Sequence, residues 1–370
     1  MLYLDQAATS FPKPAPVLAA VEHWFRELGV SPGRGDSQRT AAVHTIVQQA
    51  RAGIGALVGM PAERVAFTSG CTESINLFLR GFLRRGDRVL TTAFEHSSVV
   101  RPLLALQRER ELRVDVLPPD EHCGLAATAV RSALAAARPR LFAFTHASNV
   151  TGAVFDAAAF CGAAREQGCT TLLDASQTAG HLDLRVGADA VAASAHKALL
   201  APPGLGFLAV RADVAVEGQK QGGTGSSRAL DVHPREWPTA FEAGTPNTPA
   251  ICGLHAALRW RETRPPGDLQ VALQRVEELQ ALLLADPRFR VFAPPPGPRT
   301  PVLSFAHEQF DPGEIGALLD AADVHVRTGH HCAPWLHRHL GTEAAGTVRV
   351  SPGPEVTAAD IRSVWAVLAR

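Results

Sequence analysis

Residues 171–197 read TLLDASQTAGHLDLRVGADAVAASAHK, two apolar runs that each end in polar side chains. The runs at 171–173 and 190–193 are short and rich in small residues, which is typical of parallel strands buried on both faces. Because the carboxyl ends of parallel strands meet at one edge of a sheet, we expect the polar residues that follow the two runs to lie together. They are Asp174, Gln177, Ser194, His196 and Lys197.

Lys197 is the informative member of this group. Only three of the 36 cationic side chains are Lys, so a chain that otherwise uses Arg has a primary amine at the end of a buried strand. An amine forms a Schiff base, whereas a guanidinium does not, because it keeps its proton in proteins. Pyridoxal phosphate pairs a Schiff-base Lys with an acidic partner of its ring nitrogen, a role that suits Asp174. The alternative is a structural salt bridge between Lys197 and Asp174.

The composition is that of a globular protein. Hydrophobic residues make up 46% and charged residues 19% of the 370 residues, which excludes a disordered chain. The formal net charge is zero, and no run of Lys and Arg occurs, so neither a nucleic acid nor an anionic membrane is expected as a partner.

Two features of the sequence bear on the location of the protein. The N-terminus, MLYLDQAATSFPKP, lacks a basic stretch followed by an apolar run, and no apolar segment of about 18 residues occurs, so we expect a soluble, cytoplasmic protein. The six Cys are scattered without a CxxC pair, so neither a disulfide framework nor a four-thiolate zinc site is predicted.

Predicted strands and helices alternate through the first 210 residues. The strands are at 64–68, 88–92, 112–117, 140–145, 171–173, 190–193 and 206–210. The helices are at 17–28, 45–58, 75–82, 99–110, 125–137 and 157–167, and a loop is expected at 31–37. Such units specify an α/β fold with a mostly parallel sheet covered on both faces.

Beyond residue 210 the pattern changes. A Gly/Ser loop at 218–228 and a turn-rich segment at 241–250 lead to helices at 251–260 and 269–284. After a Pro-rich loop at 294–301, strands are predicted at 302–305 and 325–326 and helices at 312–323 and 358–368. At this length a large domain and a smaller one are expected. We predict a large domain of residues 15–250 and a small α+β domain of residues 1–14 and 251–370.

The turn from Ser69 to Ser74 lies between a predicted strand and helix. Free backbone N–H groups and the positive end of the helix dipole would favour an anion there. Cys71 and Thr72 lie in this turn, and we expect the Cys71 side chain to pack against the helix start. An ordinary helix cap by Ser69 or Thr72 is the alternative.

Short motifs occur along almost the whole chain: YLDQAATSFPKP, SPGRGD, FTSGCTESINL, EHSSVVRP, THASNVTG, LLDASQTAG, SAHK, GGTGSS, FEAGTPNTP, RTGHHCAP and GTVRVS. Together they resemble the cysteine desulfurase and selenocysteine lyase branch of the class V aminotransferases, which are fold-type I pyridoxal-phosphate enzymes. Two departures are Gln6, where the family usually has Asn, and APPG at 201–204 in place of GPxG. Neither departure removes a reacting group.

The resemblance implies how the cofactor is held. Lys197 would carry pyridoxal 5'-phosphate as a Schiff base, and Asp174 would pair with its ring nitrogen. His96 would stack on the ring and shuttle protons. The other implied cofactor contacts are Gln177, Asn149, Cys71, Thr72, Ser194, His196 and, from the second subunit of a homodimer, Thr245.

The resemblance also implies the reaction. Arg349, with Arg327 and Asn149 nearby, would bind the carboxylate of L-cysteine, and Cys332 would accept the sulfur as a persulfide while L-alanine forms. The alternatives are a selenocysteine lyase, a C–S lyase or another class V reaction, and a sulfur-relay scaffold without catalysis. The short segment around Cys332 implies unloading to a sulfur-acceptor protein.

The residues around Cys332 suggest two further hypotheses. An ordinary thiol is mostly protonated at neutral pH, so His330, His331 and Arg327 are expected to activate it. With His337 and His339 the tract also holds several potential metal ligands. The spacing of these potential ligands fits no standard zinc motif, and His337 and His339 are expected on an exposed helix face. No metal site is therefore predicted.

Overall fold

The computed structural model describes residues 1–33, 37–225, 231–264, 266–294 and 296–370. Parts of the predicted loops at 31–37, 218–228 and 294–301 lie outside these residues. Among the described helices, none combines the length and the apolar character that a membrane crossing requires.

A seven-stranded sheet forms the centre of the larger unit. Its strands are β2 (Val65–Thr68), β3 (Arg88–Thr92), β4 (Arg113–Leu117), β5 (Leu141–Thr145), β6 (Thr170–Asp174), β7 (Ala190–Ser194) and β8 (Gly206–Val210). The spatial order is β2-β8-β7-β6-β5-β3-β4, and β8 runs antiparallel to both β2 and β7, while the other six strands point in one direction. The carboxyl ends of the other six strands therefore share one edge, as the alternation predicts.

Both faces of this sheet are buried. Phe142 and Phe144 of β5 belong to one apolar cluster, whereas Leu141 and Ala143 belong to another. Since successive side chains of a strand point to opposite faces, the two clusters lie on opposite sides of the sheet. The helices of this part of the chain are α1 (Ala15–His23), α2 (Gln38–Val58), α3 (Cys71–Phe82), α4 (Ser97–Arg110), α5 (Ala127–Ala137), α6 (Ala157–Glu166) and α7 (Thr248–Glu262).

The C-terminal part builds a second sheet around its own apolar cluster. Four antiparallel strands have the order β12-β13-β10-β9, where β9 is Phe289–Phe292, β10 Leu303–His307, β12 Arg327–Gly329 and β13 Thr347–Val350. The N-terminal strand β1 (Leu2–Tyr3) pairs with β11 (Val324–His325). The helices here are α8 (Asp268–Leu284), α9 (Pro312–Ala321), α10 (Pro334–Leu340) and α11 (Ala358–Leu368). The division of the chain at residue 250 stays a prediction.

Several predicted boundaries are wrong. Helix α2 begins at Gln38 rather than at 45, because the Ser37 hydroxyl accepts a 3.1 Å hydrogen bond from the Thr40 N–H and caps the helix there. Helix α3 begins at Cys71 rather than at 75, so the predicted anion turn is its first turn. The segment predicted as one helix at 17–28 is α1 followed by a π-helical stretch, Trp24–Leu28. Strand β9 was not predicted.

Candidate active site

A cavity of about 220 Å³ lies at the edge where the parallel strands end. Every predicted site residue except Thr245 lines it: Cys71, Thr72, His96, Asn149, Asp174, Gln177, Ser194, His196, Lys197, Arg327, Cys332 and Arg349. A larger cavity of about 560 Å³ adjoins it, and the described residues that line that one include Lys197 but neither Asp174 nor Cys332. The smaller cavity therefore gathers the reactive groups.

One end of the cavity is suited to an anion. The first turn of α3 has Gly70 at its N-cap and no side-chain cap, and the Cys71 N–H donates to the Ser194 hydroxyl at 3.1 Å. The Thr72 hydroxyl lines the same end, and Nδ1 of His196 is buried without a hydrogen-bond partner. Hydroxyls, a helix N-terminus and an unpaired imidazole nitrogen form a donor set that fits a phosphate.

Asp174, the last residue of β6, lines the cavity. Its Oδ1 accepts hydrogen bonds from the Ser176 N–H at 2.9 Å and from the Cys71 thiol at 3.4 Å. Its other carboxylate oxygen has no hydrogen-bond partner among the described residues. Cys71 belongs to the apolar cluster that includes Ile75 and Phe78 of α3, so it packs beside the start of that helix as predicted, while its thiol also donates to Asp174. Burial, together with the Asp174 charge, raises the pKa of the Cys71 thiol and keeps it protonated.

Lys197 follows β7 and lies within the field of Asp174. Its amine makes no hydrogen bond or ion pair among the described residues, although the Asp174 charge opposes the effect of burial on it. Burial has the larger effect and lowers the pKa of Lys197. A salt bridge between Lys197 and Asp174, the alternative considered for this pair, is not among the described ion pairs.

His96 is the N-cap residue of α4, and its ring lines the cavity. Its Nδ1 accepts a hydrogen bond of 3.1 Å from the Ser98 N–H, which leaves the ring proton on Nε2. Burial, with the Lys197 charge as a second cause, lowers the pKa of His96 to about 4. The Ser98 hydroxyl lies between Nδ1 of His96, at 2.6 Å, and the hydroxyl of Thr72, at 2.9 Å. Hydrogen bonds through Ser98 therefore connect His96 to Thr72 at the anion end.

The end of the cavity that Arg349 and Arg327 line is cationic. Arg349 on β13 donates to the carbonyl of Asn149 at 3.1 Å and to the Asp5 carboxylate at 2.7 Å. Its Nε is buried without a partner, and Arg327 lines the same end. A guanidinium with an unpaired buried N–H is suited to binding a carboxylate.

Cys332 lies in the turn between β12 and α10, where its side chain is exposed and lines the cavity. His331 and Cys332 have φ angles of 48° and 57°, in the left-handed region. The Asn149 side chain donates to the His331 carbonyl at 2.5 Å, and the Ser97 N–H donates to the Cys332 carbonyl at 2.7 Å. The amide predicted to touch cofactor and substrate therefore also holds the Cys332 turn.

The histidines near Cys332 differ from expectation. His331 cannot activate the thiol as a cation, because burial lowers the pKa of His331 to about 2. His337 is buried rather than exposed, since its Nδ1 bonds to the Thr342 hydroxyl at 2.7 Å and its ring faces His330 and His331. Only His339 is exposed as predicted. Within the described ranges, no group of three or more His, Cys, Asp and Glu residues could hold a metal ion.

Sequence reasoning missed Asp5, Ser97 and Ser98. The two serines follow His96 at the start of a helix, and a capping pattern there was a usable signal. Asp5 has a buried partner 344 residues away, which no local pattern reveals. Thr245 is exposed and lies outside the cavity of its own chain.

Comparison with known proteins agrees with the motifs. The family model described as aminotransferase class-V matches residues 2–364. A protein of Methanothermobacter thermautotrophicus named a probable cysteine desulfurase is 33% identical over 362 residues, which cover 95% of this chain and 89% of that protein. A cysteine desulfurase of Klebsiella pneumoniae is 32% identical over 364 residues, covering 92% and 86% of the two chains.

The structure agrees as well. The apo structure of a cysteine desulfurase from Thermococcus onnurineus superposes with a TM-score of 0.92 at 27% identity, covering 99% of this chain and 93% of that one. The sequence match spans nearly the whole chain, and the predicted fold-type I architecture is confirmed. The chain therefore belongs to the class V aminotransferase family, within its cysteine desulfurase branch.

Proposed function

We propose that this protein is an L-cysteine desulfurase, which converts L-cysteine to L-alanine and leaves the sulfur on Cys332 as a persulfide. One observation carries the proposal. A single cavity gathers an unpaired amine, a carboxylate with a free oxygen, an arginine pair and an exposed thiol. The enzymes of this family depend on pyridoxal 5'-phosphate.

The donor set of the cavity fits that cofactor. The phosphate of the cofactor would be held by Thr72, Ser194, His196 and the first turn of α3, which all line the cavity or flank it. The free oxygen of Asp174 would accept a hydrogen bond from the ring nitrogen. Gln177 donates one amide hydrogen to the Ala7 carbonyl at 3.1 Å and keeps a second one for the ring oxygen. When bound, the cofactor supplies an electron sink for negative charge at the substrate Cα.

The side chains of the protein would orient the substrate and transfer protons. Arg349 and Arg327 would hold the substrate carboxylate and so fix the orientation of Cα. Burial lowers the pKa of Lys197, so its Nζ can accept the Cα proton once Lys197 no longer carries the cofactor. His96 is neutral because its pKa is lowered to about 4, and its Nε2–H can donate a hydrogen bond, whereas protonated Lys197 can return the Cα proton to the product.

Cys332 would act as the nucleophile. As a thiolate, its Sγ attacks the substrate sulfur, an S–S bond forms and the C–S bond breaks. The electron pair of that bond passes to the substrate carbon, which takes up a proton and becomes the methyl group of alanine. The Cys332 side chain lines the same cavity as Arg349 and Lys197, which would place its Sγ beside the bound substrate.

The proposal includes a homodimer, a location and an acceptor. Thr245 is exposed on its own chain, which suits a role in the cavity of a second subunit. The six Cys are all unpaired, and persulfide chemistry needs a reduced thiol, so the reducing cytoplasm is the matching compartment. Since Cys332 is exposed, an acceptor protein or small thiol can reach its persulfide.

Product analysis tests this proposal. Purified protein with cofactor is given L-cysteine, with and without dithiothreitol, and alanine, pyruvate and sulfide are measured, with L-selenocysteine in parallel. We expect alanine in proportion to sulfide, and catalytic turnover only with the reductant. Pyruvate and ammonia in place of alanine would show β-elimination and refute the proposal, and a reaction confined to L-selenocysteine would make the protein a selenocysteine lyase.

A further inference from the structure

The two arginines of the cationic end are direct cross-strand neighbours. Arg327 of β12 and Arg349 of β13 are paired in the antiparallel register. Like charges in directly opposed positions destabilise a sheet, so this pairing needs a compensating group. Arg349 is also almost completely buried, with 2% of its surface exposed.

Asp5 supplies the compensating charge. The N-terminal segment runs beside the end of β13, where Asp5 forms a bridge with Ser351. Oδ1 of Asp5 accepts the 2.7 Å hydrogen bond from Arg349, and Oδ2 lies 3.9 Å from Arg327. Asp5 is 4% exposed and does not line the cavity, so it stands behind the arginines. One carboxylate therefore serves two guanidinium groups.

The charges at this end do not cancel. Two guanidinium groups and one carboxylate leave a net charge of about +1, because a guanidinium keeps its proton in proteins. The Nε of Arg349 is buried and unpaired, and Arg327 has no closer acidic partner among the described residues. One added negative charge, such as a bound carboxylate, would neutralise this end of the cavity.

We propose that Asp5 is a positioning residue that sets the charge of this site, so that it accepts one carboxylate and disfavours a dianion. The inference rests on the proposed function in taking the arginine pair as the substrate-carboxylate site. Asp5 orients Arg349 through a charge-assisted hydrogen bond and lowers the local positive charge by one. The ligand class is thus a monocarboxylate such as an amino acid with an uncharged side chain.

Calorimetric titration of the holoenzyme tests the inference. Propanoate serves as the monoanion and malonate as the dianion, at constant ionic strength because surface charges are screened by salt. In Asp5→Asn, propanoate should bind about tenfold more weakly, the effect of one lost charge-assisted hydrogen bond, while malonate binds as well as before or better. Asp213→Asn, which removes an acid paired with Arg211 at the surface, is the control and should change neither ligand.

A purely structural Asp5 would give a different result. Equal weakening of both ligands in Asp5→Asn, or no change in either, overturns the inference, as does a parent enzyme that binds malonate better than propanoate. If Asp5→Asn does not fold, Arg327→Gln at the half-exposed position lowers the charge by one instead. It should weaken malonate more than propanoate, and equal losses overturn the inference. The titrations need no turnover, so they can fail or succeed whatever reaction the enzyme performs.

Discussion

The backbone N–H of Ser97 donates a 2.7 Å hydrogen bond to the carbonyl oxygen of Cys332. The Ser97 hydroxyl reaches the same oxygen at 3.1 Å, and Ser97 directly follows His96. Non-glycine residues in the left-handed region cost roughly 1–3 kcal/mol each, and both His331 and Cys332 adopt it. The start of α4 therefore holds the strained thiol-bearing turn beside the histidine that lines the same cavity.

Lys197 should be the residue that binds the cofactor covalently. Borohydride reduction of the holoenzyme, followed by peptide mapping, is expected to place the cofactor on Lys197, and Lys197→Ala should lose the adduct completely. Lys13→Gln is the control, because burial also lowers the pKa of Lys13, to about 8. A covalent adduct that survives Lys197→Ala would rule out the assignment.

Asp174→Asn should lose most turnover while the protein still binds some cofactor. A neutral amide cannot hold a proton on the ring nitrogen, so we expect a loss of about a hundredfold or more in kcat, in the range of other electrostatic deletions at active sites. Steady-state kinetics measures the loss, with Asp183→Asn as a control at an exposed Asp–Arg pair. Activity within a few-fold of the parent would show that Asp174 is only structural.

Stability should fall in mild acid. In the unfolded chain His146 binds a proton below its ordinary pKa of 6.5, whereas burial lowers its pKa in the folded protein to about 4. Between these values the unfolded state holds more protons, so the free energy of unfolding decreases as the pH falls. His146→Gln should reduce this decrease by about 1–2 kcal/mol at about pH 5.

Denaturant unfolding at about pH 5 and about pH 7.5 measures the difference, within the window set by the two pKa values. His44→Gln, at an exposed position, is the matched control and should keep the full pH dependence. If His146→Gln and His44→Gln both lose as much stability between the two pH values as the parent protein, His146 does not cause the decrease.

The sequence predicted the architecture well for physical reasons. Strands β3 and β8 and helix α11 match their predicted bounds, because apolar runs between Gly, Pro and polar breaks define them locally. The start of α2 and strand β9 were missed, because a single Ser cap and a four-residue strand give weak periodic signals.

The candidate site shows the same division. The residues at strand ends were predictable, because parallel topology brings strand ends together. The bonds of Asp5 to Arg349 and of Ser97 to Cys332 were not predictable, because they join residues far apart in the chain. The burial of His337 likewise depends on neighbours that only the folded chain supplies.

The homodimer is tested by complementation. Lys197→Ala and Thr245→Ala chains are mixed under conditions of subunit exchange. Each variant alone is expected to be nearly inactive. If Thr245 serves the partner's cavity, hybrid dimers carry one intact site, and roughly a quarter of all sites recover with random exchange. No recovery, despite exchange verified by mass spectrometry, would count against a shared site.

Cys332→Ala should abolish sulfur transfer from L-cysteine and leave cofactor binding intact. Lys197, Asp174 and Arg349 need no thiol for their roles, whereas cleavage of the C–S bond needs a nucleophile for the sulfur. Cys71 is the rival thiol in the cavity, but burial and the Asp174 charge raise its pKa and disfavour the thiolate. Cys71→Ser should therefore retain sulfur transfer.

The most direct test of the central claim is persulfide mapping after a single turnover with L-cysteine and no reductant. Persulfides are trapped with an alkylating reagent, and the peptides that contain each of the six cysteines are identified by mass spectrometry. The account predicts one trapped sulfur per active site, on Cys332. Persulfide on Cys71, or full release of sulfide by Cys332→Ala, would contradict it.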